Sequence, residues 1–219
     1  MRQKLTIDSL ITAAKEFCYS EKKKNFPTLI GVTDGKAIGA FVEHRLKEFL
    51  FNRYEALIGD SASGIDLPSF DINTDIKVTS IKQPQSSCPF KSARQKIYGL
   101  GYNILLIVYN KIDTAKECHL NYLNCTFIYA QHTADFTMTK RLSEMLKDGA
   151  NVGDIMGFFY DKSIPGDEIS LTQLAEEVLE NGVEQGYLTI SNALRWRLQY
   201  QRVISLDNSV SGVLNCEIS

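Results

Sequence analysis

GIDLPSFDINTDIKVTS, residues 64–80, is the stretch on which the reading of this chain turns. From Thr74 to Ser80 the residues alternate with the period of a β-strand, whose successive side chains point to opposite faces. Ile76 and Val78 then face a core, while Asp75, Lys77 and Thr79 share the other face. Upstream, Gly64–Leu67 is short and partly apolar, and Pro68, Ser69, Asp71 and Asn73 supply turn chemistry. The pattern predicts a hairpin of two strands, Gly64–Leu67 and Thr74–Ile81, that sets Asp66 beside Asp75. Two carboxylates and an ammonium would then converge on one wet face of a sheet.

The Asp-x-Lys triplet alone carries no weight. With 26 acidic residues and 16 lysines in 219 positions, roughly two such triplets arise by chance. Glu21-Lys22-Lys23, inside the run EKKK, reads as solvated surface. The strand context sets Asp75-Ile76-Lys77 apart. Paired carboxylates repel, and a hard divalent cation such as Mg2+ relieves the repulsion while taking phosphate oxygens as further ligands. Such an ion polarises a phosphodiester and acidifies a bound water. Lys77 is suited to stabilise charge developing on the phosphate or to orient the attacking water. The competing structural reading is a salt bridge across a hairpin, worth about 0–1 kcal/mol.

Around this stretch the chain is globular in composition, 44% hydrophobic and 23% charged. No apolar run reaches membrane-span length, and the amphipathic N-terminus is no signal peptide. The five cysteines lack CxxC spacing and the three histidines lack ligand spacing, so neither a zinc site nor a disulfide framework is expected, and the cytoplasm is the expected location. A net charge of −2 makes any phosphate-binding surface local.

Helices are predicted over Ile7–Ser20, Gly35–Asn52, Thr139–Lys147, Thr172–Asn181 and Ser191–Val203, and buried strands over Asn103–Tyr109 and Cys125–Ala130. Together they make an α/β fold, a central mixed β-sheet flanked by helices with a helical C-terminal extension. The expected division is residues 1–165 as core and 166–219 as extension. In the second helix Ile38, Phe41, Val42, Phe49 and Leu50 form one stripe, and Glu43 sits at its rim. GVTDGKA (31–37) glances at a phosphate-binding loop but lacks its spacing and its hydroxyl. NKID (110–113) reads as a strand end and turn. Arg195, Arg197 and Arg202, with Trp196, Leu198 and Tyr200 interleaved, suggest that Ser191–Val203 packs with a basic rim, against the core or a second subunit, the alternative being contact with DNA.

A helix carrying Glu43, then Asp66, then Asp75-Ile76-Lys77 in a strand, then a basic segment and an apolar strand: in that order the chain resembles the PD-(D/E)xK nuclease superfamily, and most of all its type II restriction endonucleases. The resemblance covers about Gly35–Ala130. It implies a restriction endonuclease-like core and a Mg2+-dependent enzyme that cuts double-stranded DNA at a specific short sequence, leaving 5′-phosphate and 3′-hydroxyl ends. It implies Asp66, Asp75 and Ile76 as metal ligands, Lys77 as the residue assisting the attacking water, and Glu43 as completing the catalytic set. Ile65 stands where the family name has proline, and Asp60 and Asp71 compete with Asp66. The polar segment after the strand, with Lys82, Gln83, Gln85, Ser86, Ser87, Lys91, Arg94, Gln95 and Lys96, is the expected DNA-binding region, since such side chains reach base edges and phosphates. A homodimer on a palindromic or near-palindromic site is expected. The alternatives are a repair or junction-resolving nuclease of the same fold and a catalytically inert DNA-binding module.

Overall fold

The computed structural model describes residues 2–56, 64–88, 91–191, 197–206 and 209–218. Along the chain lie β1 (Gln3–Lys4), α1 (Ile7–Glu21), α2 (Gly35–Arg53), β2 (Tyr54–Glu55), β3 (Thr74–Ser80), β4 (Gln85–Ser87) and α3 (Arg94–Tyr98). Then follow β5 (Asn103–Asp113), β6 (Cys118–Ile128), α4 (Phe136–Lys147), α5 (Val152–Asp161), α6 (Glu168–Asn181), β7 (Thr189–Ile190), β8 (Arg197–Gln199), α7 (Gln201–Ile204) and β9 (Val213–Glu217). The fold is mixed α/β, as expected. Contacts divide it into two units, one of Met1–Gln85, Asn103–Ile128 and Ile204–Ser219, the other of Ser86–Tyr102 and Tyr129–Val203. The division therefore does not fall at residue 165. The chain leaves the first unit after β4 begins, and it ends in β9, which pairs with β6.

The first unit is built on a sheet of order β3-β5-β6-β9. β3 runs parallel to β5, and β6 is antiparallel to both β5 and β9. Ile104–Val108 of β5 are completely buried, which is why this strand reads as an unbroken apolar run instead of an alternation. α1 and α2 cover the sheet: Phe17 meets Phe49 and Tyr122 edge-on, with ring centroids 5.6 and 6.1 Å apart. A Cβ at Gly39 would stand 3.3 Å from the Val78 carbonyl oxygen, so the bare glycine lets α2 rest on β3. Glu43 and Lys47 follow at i+4 and i+8, on the same side of the helix.

Three local readings resolve here. The expected strand Gly64–Leu67 shrinks to one antiparallel bridge, Leu67 to Thr74. The Ser69 carbonyl accepts the N–H groups of Ile72 and Asn73 at 2.9 and 2.7 Å, and that turn takes the chain out of the ladder. GVTDGKA contains a further Asp-x-Lys triplet, Asp34-Gly35-Lys36, and forms the start of α2: the Asp34 carboxylate caps the helix by accepting the Lys36 N–H at 2.9 Å. NKID is the end of β5, where Lys111 pairs with Asp113.

The second unit has its own core, in which Ile97, Met138, Leu142, Ile155, Phe159, Leu171, Ala175 and Val178 are buried together. Asp135, Asn151 and Asp167 cap α4, α5 and α6 with their side chains. A small sheet of order β4-β8-β7 completes it. The helix expected over Ser191–Val203 is corrected at its described end. Residues 197–199 form a strand and 201–204 a single helical turn, while 192–196 lie outside the described residues. Leu198 and Tyr200 are buried with an exposed residue between them, and a buried-exposed alternation over so few residues fits a strand as well as a helix. Among the described residues no helix is long and apolar enough to cross a membrane.

Two glycines make the packing testable. Gly39→Val should lower the unfolding midpoint, costing about 1–3 kcal/mol by overpacking against β3. Gly157→Ala, inside α5 where a Cβ meets nothing within 4 Å, should raise it through helix propensity, by up to about 1 kcal/mol. Thermal denaturation followed by circular dichroism reads both.

Candidate active site

In a strand the N–H and C=O of one residue leave on the same edge, and alternate residues use alternate edges. Among the described residues β5 pairs along one edge of β3, and on the other edge only Thr74 is bridged, by Leu67. The N–H of Ile76 points away from β5 and donates to Asp66 Oδ2 at 2.8 Å. This bond ties the loop before β3 to the strand itself and brings Asp66 against Asp75, the neighbour of Ile76. The two carboxyls are close enough for each to shift the other's protonation. Lys77 Nζ lies 2.6 Å from Asp75 Oδ2.

From the helix side, Lys47 Nζ donates to Glu43 Oε1 at 2.8 Å and also to Asp66 Oδ1. The site is thus five residues from three places: Glu43 and Lys47 on α2, Asp66 in the loop, Asp75 and Lys77 on β3. Glu43, Asp66, Asp75 and Lys77 were legible in the sequence, and Lys47 was not. Its one signal was the spacing Glu43-x-x-x-Lys47, which on an exposed helix face means only a supporting ion pair. Here its side chain is 16% exposed. The face is drier than the alternation suggests, with Asp75 buried to 5% exposure.

Burial drives the electrostatics. Asp75 is pushed up to about 7, first by desolvation and then by Asp66, against the pull of Lys77. Desolvation acts on Asp66 in the same sense, but hydrogen bonds from Asp75, Lys47 and the Ile76 N–H outweigh it and hold Asp66 below the usual range. Of the two carboxyls, Asp75 is thus the one that holds its proton more tightly. Desolvation also raises Glu43, opposed by its bond from Lys47. Lys47 is held above the ordinary lysine value because its two carboxylate partners outweigh its burial.

This donor set suits a divalent cation. Two adjoining carboxylates with the Ile76 carbonyl on the same strand edge offer hard oxygens, and Mg2+ is commonly held by one or two carboxylates plus substrate phosphate. Among the described residues, these included, no group of three or more His, Cys, Asp or Glu is placed to hold a metal ion, so the donor set here is two carboxylates and a carbonyl. Of the competing acids, Asp71 is exposed and pairs with Lys4 at 2.5 Å, and Asp60 lies outside the described residues.

The expected DNA-binding segment divides. Lys82, Gln83, Ser87 and Lys91 are exposed. Gln85 gives its N–H to Thr79 Oγ1 at 3.1 Å, and Ser86 Oγ lies 2.6 Å from the Tyr200 hydroxyl. Arg94 forms a two-nitrogen ion pair with Glu177 and covers the Tyr98 ring. Gln95 accepts the Lys91 N–H at 3.0 Å and donates to the Leu100 carbonyl at 3.3 Å. Lys96 is 3% exposed, facing Asp135. The side chains of α3 are thus engaged within their own unit.

Fold and cluster together define a restriction-endonuclease-like α/β protein. Residues 4–215 match the family model described as type II restriction enzyme NspV. A curated type II restriction enzyme NspV from Nostoc sp. is 49% identical over 212 residues, 96% of either chain. The chain belongs to this type II restriction enzyme family. No solved structure matches it.

The raised Asp75 has a measurable signature. Between the unfolded carboxylate value of about 4 and the folded value of about 7, the folded chain holds a proton that the unfolded chain has released. The resulting stability is full below about 4 and is lost as pH rises through about 7, by an amount of the order of one to a few kcal/mol. Asp66 acts oppositely, its contribution disappearing only as pH falls below the ordinary carboxylate range. In chelator-treated buffer, urea denaturation at pH 5 and pH 7.5 should show wild type losing more stability with rising pH than Asp75→Asn does.

Proposed function

We propose that this chain is a Mg2+-dependent endonuclease that hydrolyses double-stranded DNA at one short sequence, leaving 5′-phosphate and 3′-hydroxyl ends. The observation that carries the reading is the joined pair Asp66–Asp75 with Lys77 on the same strand. Asp66, Asp75 and the Ile76 carbonyl would hold the ion. Bound there, the ion would polarise the phosphodiester and lower the pKa of a bound water.

The chain's own groups do the rest. Lys77 places a positive charge beside Asp75, where it can stabilise charge on the phosphate or orient the water. Lys47 clamps Asp66 and Glu43 from the helix and fixes the angle at which Asp66 enters the site. Glu43 completes the negative ring from the helix rim. The exposed residues Lys82, Gln83, Ser87 and Lys91 supply DNA contacts, whereas Arg94 and Lys96 support the fold. A homodimer matches a two-fold site with two-fold protein symmetry.

Phage DNA incubated with the protein and Mg2+ tests this. Discrete fragments with a common terminal sequence are expected. A smear would mean a nuclease without sequence preference, and intact DNA a binder. Two variants separate chemistry from affinity. Lys77→Ala should lose cleavage while keeping most DNA affinity, since one phosphate contact among many adds little to binding. Glu43→Ala should retain more single-turnover rate than Asp75→Ala, and equal loss would show that the helix carboxylate matters as much as the strand one.

A further inference from the structure

With 26 acidic residues in 219, one is expected at about every eighth position. Two long stretches have none: from Asp75 to Asp113, and from Glu184 to Asp207. The small sheet β4-β8-β7 draws all its strands from these two stretches. In β8, Leu198 is fully buried while Arg197 and Gln199 are exposed. Across the ladder Ile190 faces Leu198 and Thr189 faces Gln199, so one face of the ribbon is apolar and the other polar. The Tyr200 hydroxyl, buried, holds Ser86 of β4.

The ribbon is held from several sides. Asp135 accepts the Ile190 N–H at 2.7 Å and the Met138 N–H at 2.9 Å, joining β7 to the start of α4. Ser191 Oγ accepts the Arg197 N–H at 3.0 Å, and the Ser191 N–H donates to the Arg197 carbonyl at 3.1 Å. Just beyond β8, the Arg202 guanidinium lies over the Phe136 ring, 3.7 Å from its centroid.

A polar sheet face that is merely solvated would carry both signs of charge, as the remainder of this chain does. This one carries arginine and amides without a carboxylate. A β-ribbon fits the DNA major groove, where arginine pairs two-pronged with guanine and glutamine with adenine. We propose that the exposed face of β8 is a sequence-reading surface for DNA, with Arg197 and Gln199 contacting base edges and Arg202 contacting phosphate. The proposal rests on the endonuclease reading and deepens it by assigning specificity to residues outside the 82–96 segment.

The test compares full-length wild type, Arg197→Ala, Arg197→Lys, Gln199→Ala and Arg202→Ala. Each is titrated, without divalent metal and at several salt concentrations, against a duplex carrying the sequence recovered at the wild-type cut ends and against a random duplex. Arg197→Ala and Gln199→Ala should lose roughly five- to a hundredfold in affinity for the first duplex, and Gln199→Ala should bind the random duplex like wild type. Arg197→Lys should keep random binding and lose discrimination, because the ammonium lacks the guanidinium fork. Arg202→Ala should weaken both duplexes alike and reduce the salt slope by about one. Wild-type affinity and discrimination in both Arg197→Ala and Gln199→Ala would overturn the proposal. Failure of wild type to cut any DNA would instead overturn the endonuclease reading.

Discussion

The hydrogen bond from the Ile76 N–H to Asp66 is the constraint from which the site follows. It exists because, past the single Leu67–Thr74 bridge, the described residues pair β3 only with β5, so alternate backbone donors of that strand face away from the sheet. A buried N–H needs an acceptor, and the Asp66 carboxylate supplies it. Meeting this backbone requirement forces a second carboxylate against Asp75. Gly39 does the corresponding work for the helix, letting α2 come close enough for Glu43 and Lys47 to reach the same point.

The resulting cluster is held at a cost. Three carboxylates in a partly dry place repel, and the fold offsets this with the ammonium groups of Lys47 and Lys77 instead of dispersing the charge. Such a concentration of perturbed acids is a place that a divalent cation could enter by replacing the internal ion pairs. Lys47 connects helix and loop: it pairs with the Asp66 carboxylate while fixing its direction. Membership of a type II restriction enzyme family agrees with this balance.

Much of the site was legible because it depends on local periods. Alternation over Thr74–Ser80 put Asp75 and Lys77 on one face, and the apolar run of β5 announced a central strand. What escaped depends on distant parts of the chain. Lys47 drew no reading, since nothing in its helix reveals that Asp66 will arrive beside it. Arg94 and Lys96 looked available to DNA, but Glu177, 83 residues away, takes the first, and burial facing Asp135 takes the second. Leu198 and Tyr200 fit either period, and only pairing with β7 selects the strand. Gly64–Leu67 has strand-like residues, yet the turn at Ser69–Asn73 leaves it a single bridge.

The central claim is that Asp66 and Asp75 together form the catalytic metal site. Its most direct test is single-turnover cleavage of DNA in Mg2+ by Asp66→Ala and Asp75→Ala, each shown to be folded by circular dichroism. Loss of a metal ligand removes several kcal/mol of transition-state stabilisation, so both variants should be slower than wild type by at least about a hundredfold. Cleavage by either folded variant at near wild-type rate would contradict the account and move the chemistry elsewhere in the chain.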